Sequence, residues 1–211
     1  MLIVQQQKWN MEKLANDFYQ RNDVLEISRE LMGKLVVTRW NGKLTSGRIV
    51  ECEAYAGPKD KASHAFGGRR TNRTEIMYAP GGVAYVYLCY GIHHMLNVVT
   101  NVQDTPHAIL IRALEPVEGI KEMLRRTNKS IADNTLTRGP GNVCRALGIF
   151  THHTGLSLRS KELYIADDGF EYADSEVYRS PRIGVDYAGK DALLPYRFYV
   201  QGNPYISGKP K

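Results

Sequence analysis

The segment KLVVTRWNGKLTSGRIVECEAY, residues 34–55, contains two runs of apolar and β-branched residues on either side of an Asn-Gly pair. We predict strands over 34–40 and 44–55 with a hairpin turn at Asn41-Gly42, because both turn residues tolerate a positive φ. Further strands are predicted over 83–89, 95–100, 108–114, 163–166, 182–185 and 197–200. Since hairpins join these strands more often than helical crossovers do, the pattern predicts a mixed α and β fold with a mainly antiparallel sheet.

Helices are predicted where apolar residues recur with helical spacing beside a start signal. They are 11–19, the run through Met32 that follows the N-cap Asp23, a helix opened by Glu115-Pro116 and reaching Leu124, and a shorter helix opened by Gly139-Pro140 and reaching Leu147. Residues 57–82 form a basic, glycine-rich stretch that we predict to be a loop, and 129–137 are predicted to be a mobile polar loop.

The 211 residues are 43% hydrophobic and 24% charged, which is typical of one ordered domain rather than of a disordered chain. The net charge of +6 and the pI near 9.2 favour a polyanionic partner, although many basic proteins bind no nucleic acid. Three widely spaced cysteines support neither a disulfide framework nor a zinc knuckle. Because no secretory signal and no apolar stretch near ~20 residues is seen, we expect an intracellular protein with no membrane contact.

Two carboxylates and an aromatic residue share one face at the end of the second predicted strand. Side chains alternate along a strand, so Glu51, Glu53 and Tyr55 point the same way just before the turn Gly57-Pro58. A carboxylate is rarely buried without a partner or a chemical role. Taken alone, this pattern fits either a solvated sheet face or a catalytic pocket.

The second predicted hairpin places Tyr85, Tyr87 and Cys89 on one face and Tyr90 at its tip, next to Gly91. An exposed aromatic residue at a hairpin tip either packs against a neighbouring loop or inserts into a partner. Enzymes that act on a base within a duplex extrude the nucleotide, and an inserted side chain can occupy the vacated position.

Arg112 and Asn97 are polar residues within otherwise apolar strands. A buried guanidinium requires a partner, which for Arg112 is either a structural acid such as Glu115 or a catalytic carboxylate or phosphate. Pairing with Glu51 or Glu53 would satisfy both interpretations. Asn97 either satisfies internal hydrogen bonds or contacts a base edge. The histidines, which include His64 and two adjacent pairs, have no metal-ligand spacing.

Five ordered blocks of this sequence resemble the alkyladenine (3-methyladenine) DNA glycosylase family. They are RIVECEAYAGPKDKASHAFGGRRT (48–71), YVYLCYGIHHMLNVV (85–99), ILIRALEPVEG (109–119), RGPGNVCRALGI (138–149) and the ending PRIGVDYAG…RFYVQGNPYIS. The resemblance is collinear over about residues 25–207. It departs from better-studied members at Cys52, between the two acids, and at His93-His94, close to Tyr90 at the hairpin tip.

The resemblance implies an α+β fold: a single glycosylase domain over 1–211 with a mainly antiparallel curved sheet, flanking helices and a protruding β-hairpin. Residues 1–22 match nothing in the family, and we expect a family-atypical N-terminal helix there that contacts DNA or packs against the domain. It implies that Glu53 is the general base and that Arg112 and the backbone carbonyl of Ile183 help to hold the attacking water. The flipped base would lie among Tyr55, His64 and Tyr87. Asn97 would disfavour guanine. Tyr90 would fill the gap in the duplex, and the expected contacts with DNA backbone or neighbouring bases are Arg69, Thr71, Met77 and His93.

The expected reaction is therefore excision of alkylated or deaminated purines from duplex DNA by water, the first step of base excision repair, by a monomer without metal or cofactor. Lys59 and Lys61 match no catalytic position of the family, which favours a monofunctional enzyme. Two other interpretations stay open on the residues alone: a protein that binds distorted or single-stranded nucleic acid without cleaving it, and a hydrolase of free nucleosides.

Overall fold

The structure, a computed structural model, describes residues 11–208 of the chain. Nine strands in this part form one sheet: β1 (Glu12–Lys13), β2 (Leu35–Trp40), β3 (Lys43–Tyr55), β4 (Ala84–Cys89), β5 (His93–Thr100), β6 (His107–Glu118), β7 (Leu163–Asp167), β8 (Val177–Ser180) and β9 (Arg197–Val200). The α-helices here are α1 (Asn16–Tyr19), α2 (Val24–Leu31), α3 (Ile120–Thr127) and α4 (Pro140–Leu147). Short 3-10 helices lie at Gly57–Lys59, Phe66–Gly68, Glu75–Tyr78, Asn134–Leu136, Thr151–His153, Asp174–Glu176 and Asp186–Leu193.

The sheet is antiparallel, and its strand order is β1-β7-β2-β3-β6-β5-β4, with β9 also paired to β3 and β8 paired to β9. The β2–β3 hairpin turns at Asn41 (φ 52°) and Gly42 (φ 78°), as predicted. Three irregularities in the pairing of β3 with β6 lie between Ser46 and Cys52. Such bulges increase the local twist, and the sheet curls into a half-barrel. The predicted fold class is thereby confirmed.

Alternation along the strands divides the sheet into two faces. One face carries Val50, Cys52, Val98 and Ile111, which pack with α2 and α4 into the main core. Helix α2 begins as predicted at Asp23, whose carboxylate accepts hydrogen bonds from two backbone N–H groups of the first turn. The opposite face carries a smaller apolar cluster and a row of polar side chains. We therefore expect the functional site on this face.

The N-terminal helix predicted over 11–19 is confirmed only at Asn16–Tyr19. Glu12 and Lys13 form a strand against β7, and the N–H of Leu14 continues that pairing by donating to the carbonyl of Ile165. Helical structure within 11–22 is confined to Asn16–Tyr19, and the carbonyl of Tyr19 accepts a hydrogen bond from Asn101. Residues 1–10 lie outside the described part of the chain.

Two further predictions are wrong because tertiary pairing overrides local signals. Pro116 does not open a helix: β6 continues to Glu118, and Pro116 lies opposite Gly47 beside a bulge, where a missing N–H is tolerated. Helix α3 begins only after Gly119, whose φ is 75°. Residues 182–185 form no strand, since Gly184 (φ 75°) turns the chain there, and β9 pairs instead with 177–180.

No helix within residues 11–208 has the length and apolar character that crossing a membrane requires.

Candidate active site

The two carboxylates of β3 are fully buried, which excludes the solvated-face interpretation. Arg112 of β6 lies between them, with its Nε 3.1 Å from Glu51 Oε1 and its Nη1 3.3 Å from Glu53 Oε2. Glu115, the other candidate partner of Arg112, instead accepts a hydrogen bond from Asn203. Burial alone lowers the pKa of the guanidinium, but Glu53 and Glu51 outweigh it and raise the pKa above its ordinary value. Arg112 therefore stays charged beside both acids.

The two acids differ in how completely the protein occupies them. Glu51 Oε1 accepts from Arg197 Nε (2.7 Å), Arg112 Nε and Ser207 Oγ (2.9 Å), and Oε2 accepts from the backbone N–H of Ser207 (2.6 Å). All of these donors are buried, so Glu51 is held within a closed network. Its position suits a structural role.

Glu53 has three donors, and each donor lines one cavity. Its Oε2 accepts from the Tyr55 hydroxyl (2.9 Å) and from Arg112, and its Oε1 accepts from the backbone N–H of Ile183 (2.7 Å). Tyr55, Arg112 and Ile183 all border a cavity of about 510 Å³. A carboxylate offers about four acceptor positions, so Oε1 has one left. Glu53 itself is fully buried, and it lies behind these lining residues with one acceptor position available.

The register of the sheet builds the rest of that cavity. Glu53 of β3 pairs with Leu110 of β6, Leu110 with Asn97 of β5, and Asn97 with Tyr85 of β4. These four residues form one row across four strands spaced ~4.8 Å apart. Residues that are distant in sequence are therefore brought to one face by pairing alone.

Aromatic rings form one wall of the cavity. The centroid of His64 lies 4.7 Å from that of Tyr87, and the Tyr85 ring lies 5.5 Å from Tyr87. His64 Nδ1 is 2.9 Å from the Tyr85 hydroxyl. Burial, helped by Arg73 and Arg69, lowers the pKa of His64 to about 4. The imidazole is therefore neutral at pH 7, and the three rings of this wall are uncharged.

Asn97 is 4% exposed and lines the cavity. Its amide nitrogen donates to the backbone carbonyls of Tyr85 and Met95, each at 3.2 Å. These two bonds fix the orientation of the amide group within the cavity lining.

The hairpin tip projects from the sheet next to this cavity. Tyr90 is 91% exposed and has a φ of 51°, and Gly91 follows with a φ of 74°. Neighbouring Ile92 is 70% exposed. A non-glycine residue in the left-handed region costs ~1 kcal/mol or more, and the protruding hairpin agrees with the prediction.

The four other expected DNA contacts are placed differently from one another. Arg69 and Thr71 are exposed on the loop beside the cavity, and His93 is exposed near the first turn of α4. Met77 is only 1% exposed and packs in the cavity wall. The structure does not bring Met77 to the outer surface, because the short helix Glu75–Tyr78 turns it inward.

The sequence model of the methylpurine-DNA glycosylase family matches residues 17–204 of this chain. The chain belongs to this family. A relative from Bacillus cereus, provisionally named as a 3-methyladenine DNA glycosylase, is 48% identical over 200 residues, which are 91% of this chain and 97% of the relative. A Bacillus cytotoxicus relative with the same provisional name is 48% identical over 203 residues, covering 92% and 99% of the two chains. The chain is accordingly a DNA glycosylase, an enzyme of DNA repair whose substrate is DNA.

Several residues of this glycosylase site were not found from the sequence. Arg182 is buried, pairs with Asp60 through two hydrogen bonds and places its guanidinium 4.8 Å from the centroid of the Tyr55 ring. This pair fixes the segment that brings Ile183 to Glu53. Arg73 lies 4.9 Å from the ring of Tyr87. In the sequence, the charged Arg182 follows Pro181, which could have drawn attention to it. Nothing in the neighbouring residues identifies Asp60 as its partner.

Within residues 11–208 of this glycosylase, no three His, Cys, Asp or Glu side chains are grouped closely enough to hold a metal ion. The three cysteines are free, and two of them, Cys52 and Cys144, are buried.

Proposed function

We propose that this glycosylase draws an alkylated or deaminated purine out of duplex DNA into the 510 Å³ cavity and excises it with water. The observation that supports this most is Glu53, buried beneath the cavity with one acceptor position left on Oε1. Such a carboxylate can bind and deprotonate a water molecule at the cavity floor. The reaction would begin base excision repair.

In this mechanism the oxygen of the water bonds to C1′ of the sugar as the N-glycosidic bond breaks. The purine leaves with the bonding electron pair, and the proton from the water goes to Glu53. The transition state resembles an oxocarbenium ion, so a carboxylate beneath the sugar also stabilises its positive charge. Arg112 keeps Glu53 in position, and the backbone carbonyl of Ile183, a residue that lines the cavity, would accept a hydrogen bond from the water.

The aromatic wall supports a preference for alkylated purines. Stacking on tyrosine faces favours a base that carries positive charge through cation–π attraction. Tyr55, His64 and Tyr87 are the rings that would enclose the base, and Asn97 would oppose the exocyclic amine of guanine. If the Tyr85 hydroxyl donates to Nδ1 of His64, the proton of the imidazole lies on Nε2, which would then donate to a deaminated purine.

The exposed hairpin supports base flipping. Tyr90 would occupy the space that the extruded base leaves in the duplex. Arg69, Thr71 and His93 would contact the DNA backbone around it, whereas the burial of Met77 restricts it to the cavity wall. All of these groups belong to one chain, so we propose that a monomer binds one damaged duplex.

The test compares release of free bases from methylated duplex DNA by the parent protein, Glu53→Gln and Glu115→Gln. We expect Glu53→Gln to lose ~10²- to 10⁴-fold in the single-turnover rate. Glu115→Gln replaces an exposed carboxylate outside the cavity and should retain the parent rate. Equal rates for the parent and Glu53→Gln, with thermal unfolding unchanged, would remove Glu53 from its proposed role.

Monofunctional action is tested in the same reaction. After base release the DNA strand should stay intact until it is treated with alkali, and borohydride should trap no covalent protein–DNA adduct. A trapped adduct would show an amine nucleophile and contradict attack by water.

A further inference from the structure

A second cavity, of about 910 Å³, shares no lining residue with the candidate active site. Helix α4 relates the two: its first residue, Pro140, lines the active-site cavity, and Gly148, just beyond its last residue, lines the second. Eight residues at ~1.5 Å each separate the two ends by ~12 Å. We call the second cavity the basic groove; it is lined by Arg39, Trp40, Asn41, Gly42, Lys43, Glu122, Arg125, Arg126, Arg145, Gly148, Phe150, His152, His153, Lys161 and Glu162.

The lining of the basic groove is strongly positive. Six arginines and lysines face two glutamates, a net charge of +4 on a chain whose total is +6. One carboxylate, Glu122, is shared by Lys43, Arg125 and Arg126 at 3.2, 2.6 and 3.2 Å. The hydrogen bonds from Arg125, with Lys43 nearby, lower the pKa of Glu122 to about 2. The three cations are therefore far from neutralised by this single charge.

The other three cations of the groove have no carboxylate within 4.0 Å among residues 11–208: Arg39, Arg145 and Lys161. All three are exposed. Like charges brought together without partners raise the local potential and attract a polyanion.

Aromatic rings lie among these charges. Phe150 is 43% exposed and is stacked with the exposed ring of His152, with centroids 5.6 Å apart and planes 17° apart. Trp40 stacks on His153 at 4.2 Å, and its Nε1 donates to the carbonyl of Leu147. Trp40 and His153 are thus held in place by stacking and by a hydrogen bond, next to the exposed pair of Phe150 and His152.

We propose that the basic groove is a second nucleic-acid site, which binds a single-stranded segment of DNA. Cations that track phosphates, together with exposed rings on which bases stack, are the two elements of single-strand recognition. A duplex has its base faces already stacked, so it would leave Phe150 and His152 without a partner. An acidic peptide would use the cations but would have no need of the ring pair. The site is independent of which residues excise the base.

The proposal is tested with a fluorescent oligothymidylate, which contains no purine, by fluorescence anisotropy over a series of salt concentrations. The groove variant carries Arg39→Gln, Arg145→Gln and Lys161→Gln. The matched control carries Lys121→Gln, Arg159→Gln and Lys190→Gln, which remove equal charge at exposed positions outside both cavities. We expect the groove variant to bind at least ~10-fold more weakly, with a salt slope smaller by ~2, and the control to change less than ~2-fold. Equal losses in both variants would overturn the proposal.

Four further measurements, one of them the binding of polyaspartate, distinguish a single-strand site from a general anion site and from an extension of the active site. Phe150→Leu should weaken oligothymidylate binding ~5-fold or more, and excision from methylated duplex should stay at the parent rate in every groove variant. A saturating duplex with an abasic-site analogue, which occupies the candidate active site, should leave the oligothymidylate bound. Displacement by that duplex, equally strong binding of polyaspartate, or no effect of Phe150→Leu would each overturn the assignment of a single-strand site.

Discussion

At one end of α4, in the candidate active site, two arginines are buried and held by carboxylates: Arg112 by Glu51 and Glu53, and Arg182 by Asp60. At the other end, in the basic groove, Arg39 and Arg145 are exposed and have no carboxylate partner in the described chain. The same side chain is used in two ways. A buried guanidinium must be paired, because desolvation is costly, and the pairing fixes geometry. An exposed one adds little to stability and stays available for an anion.

This contrast predicts that removing a buried arginine lowers the free energy of unfolding far more than removing an exposed arginine of the groove. Arg197→Met removes the hydrogen bonds that Arg197 donates to Glu51 and to the carbonyl of Ser207, and we expect a loss of ~3–5 kcal/mol in the free energy of unfolding. Arg145→Met in the groove should change it by less than ~0.5 kcal/mol. Urea denaturation measures both. If Arg197→Met lowered the free energy of unfolding no more than Arg145→Met, the Glu51 network would not be what stabilises this part of the sheet.

A change at the hairpin tip tests whether the enzyme extrudes its target base from stacked duplex DNA. Hydrolysis of a free nucleoside would not need this tip. Tyr90→Ala should lower single-turnover excision from duplex ~10- to 100-fold, because flipping a base costs a few kcal/mol that an inserted side chain offsets. Tyr178→Ala, which removes an exposed tyrosine from β8, is the matched control and should excise at the parent rate. Full activity of Tyr90→Ala on duplex would contradict the proposal that Tyr90 fills the space left by the extruded base.

The neutral aromatic wall gives a pH prediction. The pKa of His64 is about 4 in the folded protein, below its ordinary value near 6.5, so the folded state resists protonation. Its contribution to stability is therefore complete above pH ~6.5 and is lost as the pH falls toward 4. NMR titration of the imidazole should show no midpoint between pH 5 and 8.

Arg73→Ala provides the sharper version of the same titration. Burial is the main cause of the lowered pKa of His64 and Arg73 is the next, so the variant should raise the midpoint without restoring the ordinary value. A midpoint near 6.5 in the parent protein would show that the wall carries charge at neutral pH.

The regions of the molecule differ in how much of their structure could be predicted from the sequence. The β2–β3 hairpin, the N-cap Asp23 and the shared face of Glu51 and Glu53 rest on local rules of turn chemistry and alternation, and the structure agrees with them. The helix expected at Glu115-Pro116 failed because Gly47 and a bulge on the neighbouring strand accommodate the proline. A local pattern carries no information about such a partner.

The same limit applies to the site itself. The pairing of Arg112 with an acid of β3 was foreseen as one option, because a charged residue in an apolar strand needs a partner. The Arg182–Asp60 pair joins residues 122 positions apart and could not be read from either segment. The basic groove was invisible for the same reason, since its cations come from β2, β3, α3, α4 and the segment before β7.

The smallest expected effects come from two glycines at the two ends of α4. A Cβ at Gly148, where φ is 67°, would lie 3.1 Å from both Trp40 and Arg126, so Gly148→Ala should cost ~1–2 kcal/mol and weaken oligothymidylate binding a few-fold. A Cβ at Gly141 would lie 2.9 Å from His93 Nδ1, so Gly141→Ala should displace His93 and weaken duplex binding a few-fold. Each variant serves as the control for the other. If both lowered both affinities equally, the two ends of the helix would act as one surface, because a change confined to either end would then reach the other.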